Sequence, residues 1–321
     1  MAKHWVWSDG DANSTSQVLK DKFRALKRRG ISGVFLHQSE DRVYEIVREC
    51  ELDLHVWMWT TNRGDAWIRE RHPEWYQVSR SGKSCYDQPP YVGYYRWINP
   101  AIPEVRAYIR DKAAEIAVKP WVQGVHLDYV RYPDVILPKA LWKTYGLDQT
   151  EELADYDFCY SEATCKAFMA QHGRDPRKME KPWADSDWIH FRQNLVTQLV
   201  KEVSVAVKAE EKQLSAAVFP TPALARTICR QDWDKWPLDL VAPMIYHSFY
   251  EKPVEWIGDA VREDIQAVSF PVYAGLYLPG FNTPAEFEAG IKTALNRGAS
   301  GVSMFGGLSD EMWEAFERGI S

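Results

Sequence analysis

Short runs of β-branched and aromatic residues alternate with longer amphipathic segments along the whole chain. This alternation is typical of βα units built around a parallel sheet. We predict eight strands, the number that closes a (β/α)8 TIM barrel, and therefore assign the chain to the α/β class. The predicted strands span residues 4–8, 31–37, 52–60, 123–129, 214–219, 239–246, 271–277 and 300–305.

The segments between these strands carry the spacing of helices. Residues 191–207 place an apolar residue at every fourth position from Phe191 to Val207, which produces a single apolar stripe on a helix. Pro103 suits the first turn of another helix, because proline lacks the N–H that this turn leaves unpaired. We therefore expect helices to pack around the predicted barrel.

Two connections are longer than ordinary βα loops, residues 61–102 and 131–190. Both follow strands, so we expect both on the face of the barrel that carries catalytic residues. The second connection has helical patterns of its own and could form a small separate domain. No flexible polar linker flanks it, which favours one domain over residues 1–321 with two elaborated loops.

Composition and charge exclude several classes of protein. The chain has 39 Lys and Arg against 45 Asp and Glu, a net charge of -6, and no basic block that could follow a phosphate backbone. No apolar run reaches the ~18 residues that a membrane span requires. We therefore expect neither nucleic acid nor a membrane as a partner; the oligomeric state stays open.

The cysteines and the N-terminus bear on the cellular compartment. The five cysteines show no CxxC spacing, which argues against a disulfide scaffold or a zinc knuckle. The first predicted strand begins too early to leave room for a signal peptide. The compartment stays undecided, with a secreted or periplasmic location favoured if the chain is a mature form.

The chain is rich in tryptophan and tyrosine, with 15 and 16 residues, and many of them end strand-like runs. Flat aromatic faces can stack on the apolar faces of sugar rings, whereas the alternative role of such residues is to fill the core. Their position at strand ends makes ligand stacking worth considering for each of them.

Strand 4 supplies the strongest candidate for catalysis. Residues two apart in a strand point the same way, so His126 and Asp128 share one face while Val125 and Leu127 share the other. The apolar pair should meet the helices, which directs Asp128 into the mouth of the barrel. Burying a carboxylate without a partner is costly, so we predict a functional role for Asp128.

The same parity gathers other polar and aromatic side chains at this end of the barrel, including Trp5, Trp7 and Asp9 on one face of strand 1. Aromatic members are candidates for sugar stacking, and histidine and arginine members are candidates for hydroxyl recognition. The predicted substrate-binding residues are His37, His55, Trp57, Trp59, Trp97, His126, Tyr129, Arg131, Tyr246, His247 and Tyr277.

A metal site is the alternative use of some of these residues. His55, His126, Asp128 and His247 have side chains that could act as ligands. No HxH or HExxH spacing supports such a site, so we predict neither a metal nor another cofactor.

Several segments resemble one family of bacterial proteins. The stretch GVHLDYVRYP, the most specific of them, is similar to the "family 10 glycosylhydrolase-like" TIM barrels, whose relatives include hydrolases of peptidoglycan glycan strands and of N-acetylglucosamine polymers. The resemblance implies glycan cleavage. Many relatives carry an acidic pair on strand 4, where this chain has Asp128 followed by Tyr129. The other matching segments are HPEWY, INPAIPEVRAYIRDKAAEI, LDLHVWMW and QDWDKWPLDLVAPMIY.

Glycosidic cleavage usually takes two carboxyl groups. Arg131 and the nearby histidines would keep Asp128 ionised, which suits a nucleophile or base. We favour Glu251 as its partner, because an aromatic setting would raise the pKa of that carboxyl; an N-acetyl group on the substrate could instead replace the protein nucleophile, leaving Asp128 as acid or orienter. The other carboxyl candidates are Asp9, Glu40 and Asp310.

These patterns predict a glycoside hydrolase that acts on an oligo- or polysaccharide, with Asp128 and Glu251 as catalytic residues. Two alternatives remain open at this point. One is a carbohydrate-binding barrel without hydrolytic activity, and the other is a metal-dependent carbohydrate deacetylase.

Overall fold

A computed structural model of the protein describes residues 2–321, in which eight parallel strands form one sheet. The strand order is β6-β5-β4-β3-β2-β1-β8-β7, so neighbours in the chain are neighbours in the sheet, apart from the pairing of β1 with β8. The predicted TIM barrel is therefore confirmed. The strands are β1 Trp5–Ser8, β2 Gly33–His37, β3 Asp53–Trp59, β4 Gly124–Asp128, β5 Gln213–Val218, β6 Leu240–Pro243, β7 Tyr273–Tyr277 and β8 Gly301–Phe305.

The barrel closes between β6 and β7 through two isolated parallel bridges, Val241 with Val272 and Met244 with Gly275. A Cβ atom at position 275 would lie 2.5 Å from the carbonyl oxygen of Pro243, closer than real Cβ contacts allow. Glycine is therefore required where β6 and β7, the two end strands of the sheet, approach each other.

Helices surround the strands, as the amphipathic segments predicted. The stripe within residues 191–207 is buried from Phe191 to Val207, and Pro103 is the first residue of its helix. No helix within residues 2–321 is long and apolar enough to cross a membrane. The helices are α1 Ser16–Arg28, α2 Asp41–Glu49, α3 Ala66–Arg71, α4 Pro103–Ala117, α5 Trp142–Tyr145, α6 Glu162–His172, α7 Ser186–Ala209, α8 Pro222–Cys229, α9 Trp256–Ala267, α10 Pro284–Asn296 and α11 Asp310–Ile320.

The interior of the barrel is packed with aromatic side chains around two buried histidines. The ring of His126 stacks on that of Phe35 with centroids 3.7 Å apart. Both His126 Nδ1 and His55 Nδ1 lie within hydrogen-bond distance of Ser215 Oγ, at 2.9 and 2.8 Å. Burial lowers the pKa of His55 to about 4 and that of His126 well below its usual range, so both rings are neutral at pH 7.

One buried carboxylate joins the two long loops to the barrel. Asp157, in the loop after β4, lies 2.5 Å from Arg192 Nη1 on α7 and 3.3 Å from Arg80 Nε in the loop after β3. Tyr160 also donates its hydroxyl to Asp157, at 2.7 Å. Burial raises the pKa of Asp157, but the guanidinium groups of Arg192 and Arg230 more than offset this effect and leave the pKa lowered. The ionised carboxylate thus holds three distant segments together.

Replacing Arg192 with Met should lower the free energy of unfolding by about 3 kcal/mol, because it leaves the buried charge of Asp157 without its shortest ion pair. Urea unfolding at pH 7 measures the change. The matched control is Arg262→Met, which breaks an exposed pair with Asp259 at 3.0 Å and should change the free energy of unfolding by less than about 1 kcal/mol. Equal effects of the two substitutions would show that Asp157 does not depend on Arg192.

Candidate active site

A cavity of about 340 Å³ opens at the carboxyl ends of the strands. Side chains from the barrel strands form its floor. The two long loops after β3 and β4, together with the shorter loop after β6, form much of its wall. The charged residues that line it are Asp128, Arg131 and Asp134. Aromatic residues dominate the rest of the lining: Trp7, Trp57, Trp59, Tyr91, Tyr95, Tyr129, Tyr145, Phe219, Tyr246, Phe249, Tyr250, Tyr277 and Phe305.

Asp128 is the last residue of β4 and is buried against the cavity wall. Its Oδ2 accepts a hydrogen bond from the indole N–H of Trp57 at 2.9 Å, and its Oδ1 accepts one from the backbone N–H of Tyr129 at 2.6 Å. Burial raises the pKa of Asp128, and these two bonds together with the charge of Arg131 offset only part of that rise. Each carboxylate oxygen therefore has one fixed N–H donor.

The ion-pair partner of Arg131 is Asp134 and not Asp128. Its Nη1 lies 3.0 Å from Asp134 Oδ2, and both side chains are buried. Burial lowers the pKa of Arg131, but Asp134 more than offsets this effect and raises the pKa above its usual value. The charges of Arg131 and His37 do favour the ionised form of Asp128, as expected, but the N–H donors of Tyr129 and Trp57 contribute more.

The backbone after β4 turns sharply at Tyr129, which has a φ of 50°. The left-handed region is unfavourable for a tyrosine. Hydrogen bonds from the neighbouring loop, which follows β3, hold Tyr129 in this conformation. Thr60 N–H donates to the carbonyl of Asp128 at 2.8 Å, and Thr61 N–H donates to the carbonyl of Tyr129 at 3.2 Å. The turn brings the ring of Tyr129 beside that of Trp59, with centroids 4.9 Å apart.

Tyr246, which follows β6, lines the same cavity close enough to Asp128 to feel its charge. Burial and the neighbouring charge of Asp128 raise its pKa well above the usual value, so its hydroxyl keeps the proton. Its ring lies 5.2 Å from that of Tyr277. The cavity thus combines a carboxylate that has no salt-bridge partner with neutral hydroxyl donors and flat rings.

The structure brings seven of the predicted site residues together on the cavity wall. Six of these were assigned to substrate binding and one to catalysis. They are Trp57, Trp59, Asp128, Tyr129, Arg131, Tyr246 and Tyr277.

Five other predicted binding residues do not line the cavity. His55 and His126 lie below it in the packed interior, where their ring nitrogens already have partners. Trp97 is fully buried, and the guanidinium of Arg131 covers its ring at 4.8 Å. The half-buried His37 packs edge-on against the rings of Trp57 and Trp59. His247 is buried and packs against Phe281.

Glu251, predicted as the second catalytic carboxyl, does not line the cavity. Its side chain is 52% exposed, and its Oε2 lies 3.0 Å from Lys139 Nζ. The aromatic setting that was expected around Glu251 is therefore replaced by solvent and an ion pair. Asp9, Glu40 and Asp310 are likewise exposed and absent from the lining.

The residues that the sequence analysis missed come mainly from the long loops. Asp134 supplies a second carboxyl on the wall, and Tyr91, Tyr95 and Tyr145 supply rings. The only sequence signal for them was the density of aromatic residues in the segment YVGYY at 91–95.

A metal site was the alternative use of four of the predicted residues. Within residues 2–321, no three His, Cys, Asp or Glu side chains lie close enough together to hold a metal ion. His55, His126, Asp128 and His247 therefore do not form one cluster.

Solved structures resemble this chain over almost its whole length. The PgaB (BpsB) glycoside hydrolase domain from Bordetella bronchiseptica matches with a TM-score of 0.67 and 12% identity, covering 99% of this chain and 98% of that one. The catalytic domain of β-amylase from Paenibacillus polymyxa matches with a TM-score of 0.63, 12% identity and the same coverage. The class V chitinase from Pseudomonas fluorescens Pf-5 matches with a TM-score of 0.57 and 11% identity over 100% of both chains. At these identities the likeness shows the fold.

No curated protein matches the chain in sequence. A family model does match, and it confirms the resemblance that the strand 4 motif indicated. The model is that of Glycosyl hydrolase-like 10, and it covers residues 4–290. The chain therefore belongs to the family Glycosyl hydrolase-like 10.

Proposed function

We propose that this protein is a glycoside hydrolase that cleaves an oligo- or polysaccharide in the aromatic cavity, with Asp128 as its key carboxylate. The observation that carries the proposal is the state of Asp128. Among the carboxylates of residues 2–321 that line the cavity, it is the one without a salt-bridge partner. It also ends a barrel strand, where catalytic groups of this fold are placed.

The aromatic wall supports a saccharide as the ligand. Rings of Trp57, Tyr246 and Tyr277 line the same cavity as the carboxylate, and they offer flat apolar faces for a sugar ring. The neutral hydroxyl of Tyr246 can donate to or accept from sugar hydroxyls. A cavity with few charges and many rings suits a polyhydroxylated ligand with apolar faces.

Asp128 would act in its ionised form. The two N–H bonds to its oxygens stabilise the negative charge, because an N–H donates and a carboxylate accepts. Cleavage passes through an oxocarbenium-like transition state, whose positive charge a fixed carboxylate stabilises. The low polarity around Asp128 strengthens that interaction.

Asp134 is the second carboxyl on the wall, and its ion pair with Arg131 makes it a positioning group for that arginine. For a substrate that carries an N-acetyl group, the amide oxygen would replace the second protein carboxylate as nucleophile. Asp128 would then orient that amide and stabilise the charge that develops on it.

The single unpaired carboxylate also favours a second candidate function, a carbohydrate-binding barrel without hydrolytic activity. Hydrolases of this kind usually place two carboxyl groups at the bond that they cleave. The deacetylase alternative has no such support, because the described residues bring no three potential ligands together.

The substitution Asp128→Asn should reduce the release of reducing ends from a glycan panel by about 100-fold or more, because it removes the charge that stabilises the transition state and little else. Oligosaccharide affinity should change little, since Asn has nearly the same shape. Glu251→Gln is the matched control and should keep wild-type turnover, because Glu251 lies outside the cavity.

Three outcomes separate the candidate functions. Equal turnover by the wild type and Asp128→Asn would remove Asp128 from the mechanism. Binding of oligosaccharides by the wild type without turnover would establish the binding barrel. Aryl glycosides with activated leaving groups need no acid, so rescue of Asp128→Asn on them would assign Asp128 as the acid in place of an ionised group.

The substitution Trp57→Phe should move the acid limb of the pH profile of kcat/KM to higher pH. Burial already raises the pKa of Asp128, and loss of the indole N–H, which stabilises the charged form, raises it further. Activity is then lost at a higher pH as acid is added. Trp59→Phe removes another cavity indole, one that makes no bond to Asp128, and should leave the limb in place. If the acid limb of Trp57→Phe stays at the wild-type pH or moves to lower pH, the proposal that Asp128 acts in its ionised form is contradicted.

A further inference from the structure

The aromatic surface of the cavity continues outwards onto an exposed tyrosine, Tyr94. Its ring is 53% exposed, which is unusual for a side chain of this size. The ring lies 6.0 Å from that of Trp59 and 5.1 Å from that of Tyr95, and both of these line the cavity. Tyr94 thus extends the cavity wall towards solvent.

The loop around Tyr94 is held firmly although the ring is exposed. Tyr91 donates its hydroxyl to the carbonyl of Asp134 at 2.6 Å and stacks on Tyr156 with centroids 4.4 Å apart. Tyr95 packs against Trp97 at 5.4 Å on the other side. The two anchored tyrosines fix the position of the exposed one, so little conformational entropy would be lost when a ligand packs on it.

We propose that Tyr94 forms a second sugar subsite, on which the unit next to the one in the cavity stacks. This inference rests on the proposed function, because it takes the same glycan chain as its occupant. The short distance between the rings of Trp59 and Tyr94 supports this subsite. If one sugar unit of a glycan contacts Trp59 inside the cavity, the next unit passes the ring of Tyr94 where the glycan leaves the cavity. The cavity and Tyr94 together would therefore select oligosaccharides over single sugars.

Two other exposed aromatic residues lack this continuity. Trp67 is 44% exposed, but its ring packs against His72, Trp75 and Tyr108, none of which lines the cavity. Tyr86 is 36% exposed and packs against Tyr76, which is also outside the lining. Tyr86 lies in the same loop as Tyr94 and serves as its matched control.

The test measures affinity by calorimetry for chitin oligosaccharides and cello-oligosaccharides of one to six units, with Asp128→Asn as the parent protein to prevent turnover. In the parent, affinity should rise from the single sugar to the longer chains. Adding Tyr94→Ala should weaken binding of the longer chains by about 3- to 10-fold, the range of one aromatic stacking contact, and leave the single sugar unaffected. Tyr94→Phe and Tyr86→Ala should both behave like the parent.

The possible results distinguish a failure of the Tyr94 subsite from a failure of the proposed function. If Tyr94→Ala binds every length as the parent does, or weakens all lengths equally, the subsite is disproved while the proposed function stands. If the parent and the wild type bind neither these two series nor any other member of the glycan panel, both the subsite and the proposed function fall.

Discussion

A continuous line of hydrogen bonds through the middle of the barrel underlies the geometry of the cavity. The indole N–H of Trp7 donates to His126 Nε2 at 3.1 Å, which leaves the proton of His126 on Nδ1, where it faces Ser215 Oγ. Ser215 in turn faces Nδ1 of His55, whose Nε2 lies 3.1 Å from Gln213 Oε1. Every donor has an acceptor only while both imidazoles are neutral, and burial favours that state.

This line separates the packed part of the barrel from the open part. Trp7 is its upper end and also lines the cavity, so the depth of the cavity is set by a side chain fixed from below. On β4, Asp128 lies two residues beyond His126 and, like Trp7, lines the cavity. The histidine thus supports the floor, and the carboxylate is presented above it.

The strands and the residues that point into the barrel could be predicted because parity in a strand is strict. Parity says which side a residue faces but not how deep it lies, which is why His126 and Asp128 looked equivalent in sequence yet only Asp128 reaches the cavity. Loops have no such period. Glu251 follows a turn and has a φ of 51°, and no pattern in the sequence gives the direction of its side chain. Asp134 was missed for the same reason.

The narrow approach of β7 to β6 has a consequence for anyone who looks for functional residues in this chain by random mutation. Even a methyl group at position 275 would meet the Pro243 carbonyl and force β6 and β7 apart. Changes there should abolish activity as thoroughly as changes to a reacting group, although no chemistry takes place at that glycine. An inactive variant at position 275 would show that the barrel no longer closes between β6 and β7. A separate measurement of folding would be needed to distinguish it from a variant that has lost a catalytic group.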